Sequence, residues 1–513
     1  MHVELFLLVI SLLFFASIFT DKLSSKFGVP ALLLFLIVGM LFGEDGFGIQ
    51  FDSIYLADSI GTVSLCVILF AGGLQTKFSS IRPVIREGIT LATLGVLLTC
   101  AITGVVIYYI LRWTHMSSEV SLIMAFLMAA TMSSTDAASV FSILQTKGVN
   151  LKHNLRPILE LESGSNDPMA YILTTTLVGI ITAEKAPILW LLPFSILWQM
   201  AAGIAAGFGF GKFIVWLMKK VRIANESLYP LLILTSCIFI FAITHFVYGN
   251  SYLAVYIGGI VIGNSKFSHK RLSFNFFDGL SWLCQLTMFL VLGLLVSPHN
   301  LKDVIVPGLI VSVVMIFISR PLSVFLSLIP FKYLTWRDKT FLSWVGLKGA
   351  VPIIFAIFCI SHKVPQADLL FNIAFFCTLL SLIIQGSSLS WVAKKLHLDL
   401  PEHNKSEHTH FDIDLPEEIR SQTIEILVTE EMAPAETKLY ELSLPLNSLV
   451  MLIRRQDKYI VAKGQTNVQP GDYLLVISED RSALVLAEEQ RLWEQDLIDN
   501  TGDFFKTIIR KQK

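Results

Sequence analysis

Residues 157–182 read PILELESGSNDPMAYILTTTLVGIIT, an apolar stretch of membrane-crossing length that nevertheless holds Glu160, Glu162 and Asp167. A bilayer core of about 30 Å takes roughly 20 apolar residues as a helix. A charge at that depth costs on the order of 2.5–3.5 kcal/mol on insertion scales, so an acid there lines a pathway or has a partner. With the helix starting at Pro157, a residue suited to the first helical position, Asp167 stands about 15 Å deep, at the midplane. Ser163, four residues earlier, shares its face. Glu162, five earlier, is turned about 140° away, so the two carboxylates meet different neighbours and do different work.

The rest of the chain agrees with a membrane setting. Of 513 residues, 54% are hydrophobic and 15% charged, and the mean hydropathy is +0.66, which excludes a soluble globular protein. Residues 1–400 carry 26 basic and 19 acidic side chains, and residues 401–513 carry 13 and 21. A polytopic membrane part of net charge +7 thus precedes an acidic tail of −8. Without a dense basic run, nucleic-acid binding is excluded. Cys66, Cys100, Cys237, Cys284, Cys359 and Cys377 all fall in apolar stretches without paired spacing, and read as packing residues rather than disulfides or metal ligands.

Thirteen apolar runs qualify as spans, near 3–19, 27–43, 56–73, 88–111, 121–144, 157–182, 187–217, 228–247, 251–263, 278–296, 303–329, 340–361 and 367–393. The first lacks a basic leader and reads as a retained span rather than a cleaved signal. Alternate loops hold nineteen Lys and Arg against four, which puts the amino terminus outside and the tail in the cytoplasm.

Span five carries Thr131, Ser133, Ser134, Thr135 and Asp136 in its middle, side chains that compete for backbone hydrogen bonds and weaken a helix. Span twelve is interrupted by GLKGAVP (346–352), with Lys348 inside it, seven spans later and so in the opposite orientation. Two broken helices in counterpart positions of inverted halves point to a transporter site. Arg320, ahead of Pro321 in span eleven, keeps its proton and needs a carboxylate; Glu162, facing away from Asp167, is the expected partner in a structural ion pair.

These stretches, SSTDAASVFSIL (133–144), ELESGSNDPMAYIL (160–173), FDGLSWLCQLTMFLVLGLLVSP (277–298), SRPLSVFL (319–326) and GLKGAVPI (346–353), resemble monovalent cation:proton antiporter family 1. The ESGSNDPMA form is similar to its potassium/proton, cell-volume-regulation branch. The resemblance implies an all-α fold of thirteen spans with inverted repeats and two broken helices, a core bundle moving against a dimer-forming scaffold. It implies cation or proton binding at Asp167, with Asn166, Ser163, Thr135 and Asp136 around it, the monovalent cation at Asp167, and the ion pair Glu162–Arg320. Two departures stand out: Ala137 follows Thr135-Asp136 where many relatives have Pro, and Lys348 sits where many have Arg.

In the tail, strand-like runs at 423–429, 447–454, 458–462 and 472–477 are separated by turn residues and followed by a helical stretch, 480–491. The pattern resembles the TrkA C-terminal (RCK_C) module, which implies a small α+β cytoplasmic domain with a small regulatory ligand. No Gly-rich dinucleotide fingerprint precedes it. The expected organisation is therefore a membrane domain, 1–395; a linker, 396–412, bearing His403, His408 and His410; an RCK_C-like domain, 413–490; and a terminal amphipathic helix, 491–513.

Together these readings describe an inner-membrane homodimer without a resident cofactor, exchanging potassium, with sodium as a second cation, for protons. It is regulated by its tail and is not an enzyme. With Asn166 in place of a second ionisable group beside Asp167, one cation per proton is expected, an electroneutral exchange. A ligand-gated cation channel is the alternative, but the chain has no T-V-G-Y-G filter. An intramembrane hydrolase at Ser163 or Ser165 lacks a histidine at matching depth.

Overall fold

The computed structural model describes residues 11–18, 31–49, 53–113, 120–183, 191–221, 225–296 and 304–400, most of 423–478, and a few single positions between these stretches. The linker histidines, the 480–491 stretch and the terminal helix lie outside the described residues. The chain divides into two compact units, Met1–Glu402 and His403–Lys513.

Helices dominate the first unit. After a helical piece at 11–18 (α1) come α2 (Ala31–Phe42), α3 (Ile54–Gln75), α4 (Phe78–Trp113), α5 (Leu122–Thr131), α6 (Ala137–Thr146), α7 (Leu155–Thr182) and α8 (Leu192–Lys220). Then follow α9 (Leu228–Phe246), α10 (Ser251–Gly263), α11 (Lys270–Leu295), α12 (Ile305–Ser327), α13 (Trp336–Trp344), α14 (Val351–Ser361) and α15 (Ala367–Lys395). Among the described residues seven of these, α3, α4, α8, α9, α11, α12 and α15, are long and apolar enough to cross a membrane. Four more, α2, α5, α10 and α14, are apolar but shorter. The 28-residue α7 stands outside both groups because Ser163, Ser165, Asn166 and Asp167 dilute its hydropathy.

Hydropathy alone misplaces two starts. α4 begins at Phe78 and α11 at Lys270, several residues before the apolar runs at 88 and 278, because their first turns carry Arg82 and Arg86, and Lys270 and Arg271. Glu160 also differs from its expected depth: it lies one turn from Arg156 near the start of α7, paired at 3.1 Å and partly exposed.

Two apolar clusters organise the unit. The larger gathers α2, α5, α7, α14 and α15 around Leu127, Met128, Ile158, Phe355 and Phe375. A second joins α3, α8, α9, α10 and α11 around Phe70, Ile214, Ile233, Val255 and Phe277. Close helix contact substitutes for the hydrophobic drive that lipid removes. On α3 and α10, Gly73 and Gly259 meet so closely that a Cβ at Gly73 would lie 2.4 Å from Tyr256 O.

Three long helices widen by a turn, at Leu91–Gly95, Met315–Ser319 and Leu382–Gly386. The second sits just before Pro321, whose ring has no N–H to give and crowds the carbonyl four residues back, so the turn opens there. A short antiparallel pair, β1 (Asn150–Leu151) with β2 (Asp399–Leu400), ties the loop ahead of α7 to the chain beyond α15. Lys152 N adds a bond to Leu398 O at 2.9 Å, so the first residues of the expected linker are held.

The second unit is an antiparallel sheet of β3 (Thr423–Leu427), β4 (Ser448–Arg455), β5 (Lys458–Val461) and β6 (Tyr473–Ser478), in the order β3-β6-β4-β5. Val450, Ile453, Leu474 and Val476 line its apolar face with Val428, Leu439 and Val468. Gly471 takes φ +90° in the turn before β6. Asp472 closes that turn by accepting from Gln469 N and from both Nε and Nη2 of Arg455, each of the two at 2.8 Å.

Candidate functional site

The polar run of span five breaks its helix as the competing hydroxyls require: α5 stops at Thr131, residues 132–136 leave the helix, and α6 starts at Ala137. Thr131 and Ser133 hydroxyls turn back onto Met128 O and Ala130 O, taking carbonyls that a continuing helix would use. Asp136 restarts the helix. Its Oδ1 accepts from Ser139 N at 3.1 Å and its Oδ2 from the Ser139 hydroxyl, an N-cap that does the work a proline at position 137 would otherwise assist.

Span twelve breaks at 345–350, between α13 and α14. The free carbonyl end at Trp344 is taken by Gln385 Nε2 at 2.8 Å, and Ser381 Oγ donates to Gln385 Oε1 at 2.5 Å while accepting from Lys348 N at 2.9 Å. The two non-helical segments meet. Asp136 N donates to Leu347 O, and Lys348 Nζ donates to Ser134 O, both at 2.8 Å. Gly349 permits the crossing, since a Cβ there would lie 2.5 Å from Asp136 Oδ2. Helix ends of opposite polarity thus meet at one place. Lys348 answers carbonyl ends and Asp136 answers an amide end.

α7 passes this crossing with the face foreseen from its period. Asp167, 6% exposed, accepts a hydrogen bond from the Ser134 hydroxyl. Ser163 Oγ donates to Thr135 O at 2.9 Å and accepts from Ala137 N at 3.0 Å. Asn166 Nδ2 donates to Thr135 Oγ1 at 2.5 Å, while its Oδ1 has no partner among the described residues. So Asp167, Asn166, Ser163, Thr135 and Asp136 come together. Lys348 joins them through a backbone carbonyl and makes no ion pair with either carboxylate.

On the other side of α7, Arg320 Nη2 donates to Glu162 Oε1, with 3% and 1% of the two side chains exposed. Ser134, Ser139, Ser381 and Gln385 are the members that sequence reasoning did not single out. Ser134 had a signal, its place in the polar run; the pair on α15 had none beyond being polar in an apolar helix.

Carboxylate, hydroxyl, amide and carbonyl oxygens make up the donor set, the hard ligands that suit a monovalent cation and not a soft transition metal. Among the described residues no three His, Cys, Asp or Glu side chains cluster as a metal site. Gly349→Ala is expected to force the crossing apart and lower any transport through it by about ten- to a hundredfold, the cost of an ångström-scale misplacement. Transport per folded protein, measured in vesicles, checks this; an unchanged rate counts against the crossing as the site.

Two broken helices crossing beside a buried carboxylate define a polytopic secondary transporter. The chain belongs to the sodium/hydrogen exchanger family, whose transmembrane model matches residues 9–395. It is 43% identical over 410 residues to the K(+)/H(+) antiporter NhaP of Alkalimonas amylolytica, covering 79% of this chain and 69% of that protein. The K(+)/H(+) antiporter NhaP2 of Shewanella sp. (strain MR-4) is 36% identical over 519 residues, 98% of this chain and 86% of that one. In fold, the chain is similar to the sodium proton antiporter MjNhaP1 from Methanocaldococcus jannaschii at pH 8. The TM-score is 0.65 at 23% identity, over 76% of this chain and 99% of that structure.

Proposed function

We propose that the protein exchanges potassium, with sodium as a second cation, for protons across the inner membrane by alternating access. The observation that carries this reading is Asp167, buried beside the crossing of two broken helices with a hydroxyl donor and no direct ion pair. A bare carboxylate in such a place is costly, so it holds a proton or a cation and disfavours both together. Competition at one acid is the coupling. Lys348 stands within electrostatic range of Asp167, and Asn166 beside that carboxylate carries no charge, so Asp167 is the one acid of the Asn166-Asp167 pair to be answered by one cation or one proton. Exchange is then one for one and electroneutral. Potassium as the preferred cation draws on the names of the relatives from Alkalimonas and Shewanella.

Thirteen spans, with the two broken helices counted once each, fit the helices α1–α15, and the Lys and Arg bias of alternate loops supports an outer amino terminus and a cytoplasmic tail. The second apolar cluster, on α3 and α8–α11, is the scaffold against which the Asp167 bundle moves and through which two copies pair. Potassium-driven proton flux in proteoliposomes tests the exchange directly. No flux with either potassium or sodium would sink it.

The tail is the regulatory module, similar to RCK_C in its strand pattern and taking a small cytoplasmic ligand. A ligand shifts transport only by binding differently to active and inactive states. Truncation after Leu400, which keeps the pairing of Asn150 and Leu151 with Asp399 and Leu400, is expected to preserve exchange and change its dependence on cytoplasmic pH. Superimposable pH–rate curves for intact and truncated protein would reduce the tail to a stability element.

A further inference from the structure

Asp58 lies one turn inside α3 and is not used by the site at Asp167. Its Oδ2 accepts from Ser361 Oγ, at the end of α14, at 3.3 Å, and its Oδ1 is buried with no hydrogen-bond partner among the described residues. His362 is the basic neighbour. It stands within electrostatic range of Asp58, its Nδ1 3.3 Å from Ser361 Oγ and 2.9 Å from Phe358 O. Exposure falls inward, from exposed His362 through half-buried Ser361 and Asp58 to half-buried Tyr171 and buried Tyr252.

Tyr171 connects this cluster with the site, because it follows Asp167 by one turn on the same face of α7, about 6 Å along the axis. Tyr171 and Tyr252 both stand within electrostatic range of Asp58, and Tyr252 lies beside Thr62, one turn further along α3 from Asp58. Between the two carboxylates the aromatic rings form a plug. Tyr171 packs edge-on against Tyr252 at 4.8 Å and near Phe355 and Phe358 at 5.8 and 6.0 Å. At the same level α3 presses on α14, with the Cβ position of Gly61 3.1 Å from Ile354. The rings come from α7, α10 and α14 and belong to the larger apolar cluster, against which α3 packs through Ala57 and Leu65.

We propose that Asp58 is a way-station for the exchanged cation, beyond a Tyr171–Tyr252–Phe355–Phe358 gate, on the membrane face where α3 begins and α14 ends. The inference rests on the exchange reading. Its carboxylate and the Ser361 hydroxyl receive the cation and remove part of its water before the gate admits it to Asp167. The same face releases it in the reverse direction.

The test measures initial exchange rate against potassium concentration in right-side-out and everted membrane vesicles, for the native chain, Asp58→Asn, Asp58→Glu and Asp167→Asn. Asp58→Asn is expected to raise the half-saturating potassium roughly tenfold on its own face, as the loss of one charge-assisted ligand would. The opposite face is unaffected, and Asp58→Glu recovers most of the affinity. A half-saturating concentration unchanged on both faces, or raised equally on both, in the presence of normal native exchange overturns the way-station. So does an Asp58→Glu variant as impaired as Asp58→Asn while equally abundant and folded. Absent exchange in the native chain, or full exchange by Asp167→Asn, would instead overturn the reading beneath it.

Discussion

Asp167→Asn is expected to reduce potassium-driven proton movement to the leak of protein-free vesicles while the protein still folds and elutes as the native chain does. The amide keeps the shape of the carboxyl and its acceptor oxygen for the Ser134 hydroxyl, so the crossing of the two non-helical segments is undisturbed. What it removes is the titratable charge. With Lys348 within electrostatic range and Asn166 neutral, position 167 in the variant has no carboxylate to attract a cation across a low-dielectric path and nothing to titrate. Both half-reactions fail together, which separates this outcome from a variant that only weakens cation affinity. The measurement is the pH change in proteoliposomes on a potassium gradient, with elution profile and melting temperature as controls for folding. Continued exchange would mean that another group carries the ion.

Much of this site was legible because helical period is a strong signal. Four residues separate Ser163 from Asp167 and five separate Glu162 from it, and those offsets alone assign two faces and two kinds of neighbour. The break in span five was legible for a different reason, a run of hydroxyls and an acid that prefer caps to helix interiors. Its true restart, the Asp136 cap on Ser139, needed the geometry of residues three apart. Ser381 and Gln385 were not legible at all. They reach the broken end of α13 from a helix distant in sequence, and one polar side chain in an apolar helix has no partner that spacing can name. The same holds for β1 and β2, two residues each, too short for an alternation to register. In the tail the opposite obtained: alternating apolar residues and the Gln469-Pro470-Gly471-Asp472 turn place β4, β5 and β6 within a residue or two of where the structure has them. Helix starts were displaced wherever basic residues occupied the first turns, as at Phe78 and Lys270, because hydropathy reads the lipid and not the hydrogen-bonded backbone.

Glu162→Gln is expected to cost about 3–5 kcal/mol of stability, the range for breaking a buried ion pair by removing one partner. Arg320 does not shed its proton, so the variant leaves a full charge in an apolar setting. The carbonyl of Leu342, at 3.4 Å, is the other acceptor near its Nη2, and Nε already lacks a partner. Most of the loss therefore comes from stranding Arg320 rather than from the attraction itself, whose gain is largely offset by desolvating two ions. That distinction has a consequence. Arg320→Gln alone strands Glu162 and is also destabilising, but Glu162→Gln with Arg320→Gln leaves two neutral amides able to bond to each other, and the double variant is expected to recover part of either single loss. Because Glu162 faces away from Asp167, the double variant should also exchange potassium for protons once folded, with its half-saturating concentration near that of the native chain. Thermal unfolding of the four proteins in detergent gives the coupling between the two positions. A double variant no more stable than the worse single one would mean that the pair does not hold α7 to α12, and that Arg320 serves the transported ion instead.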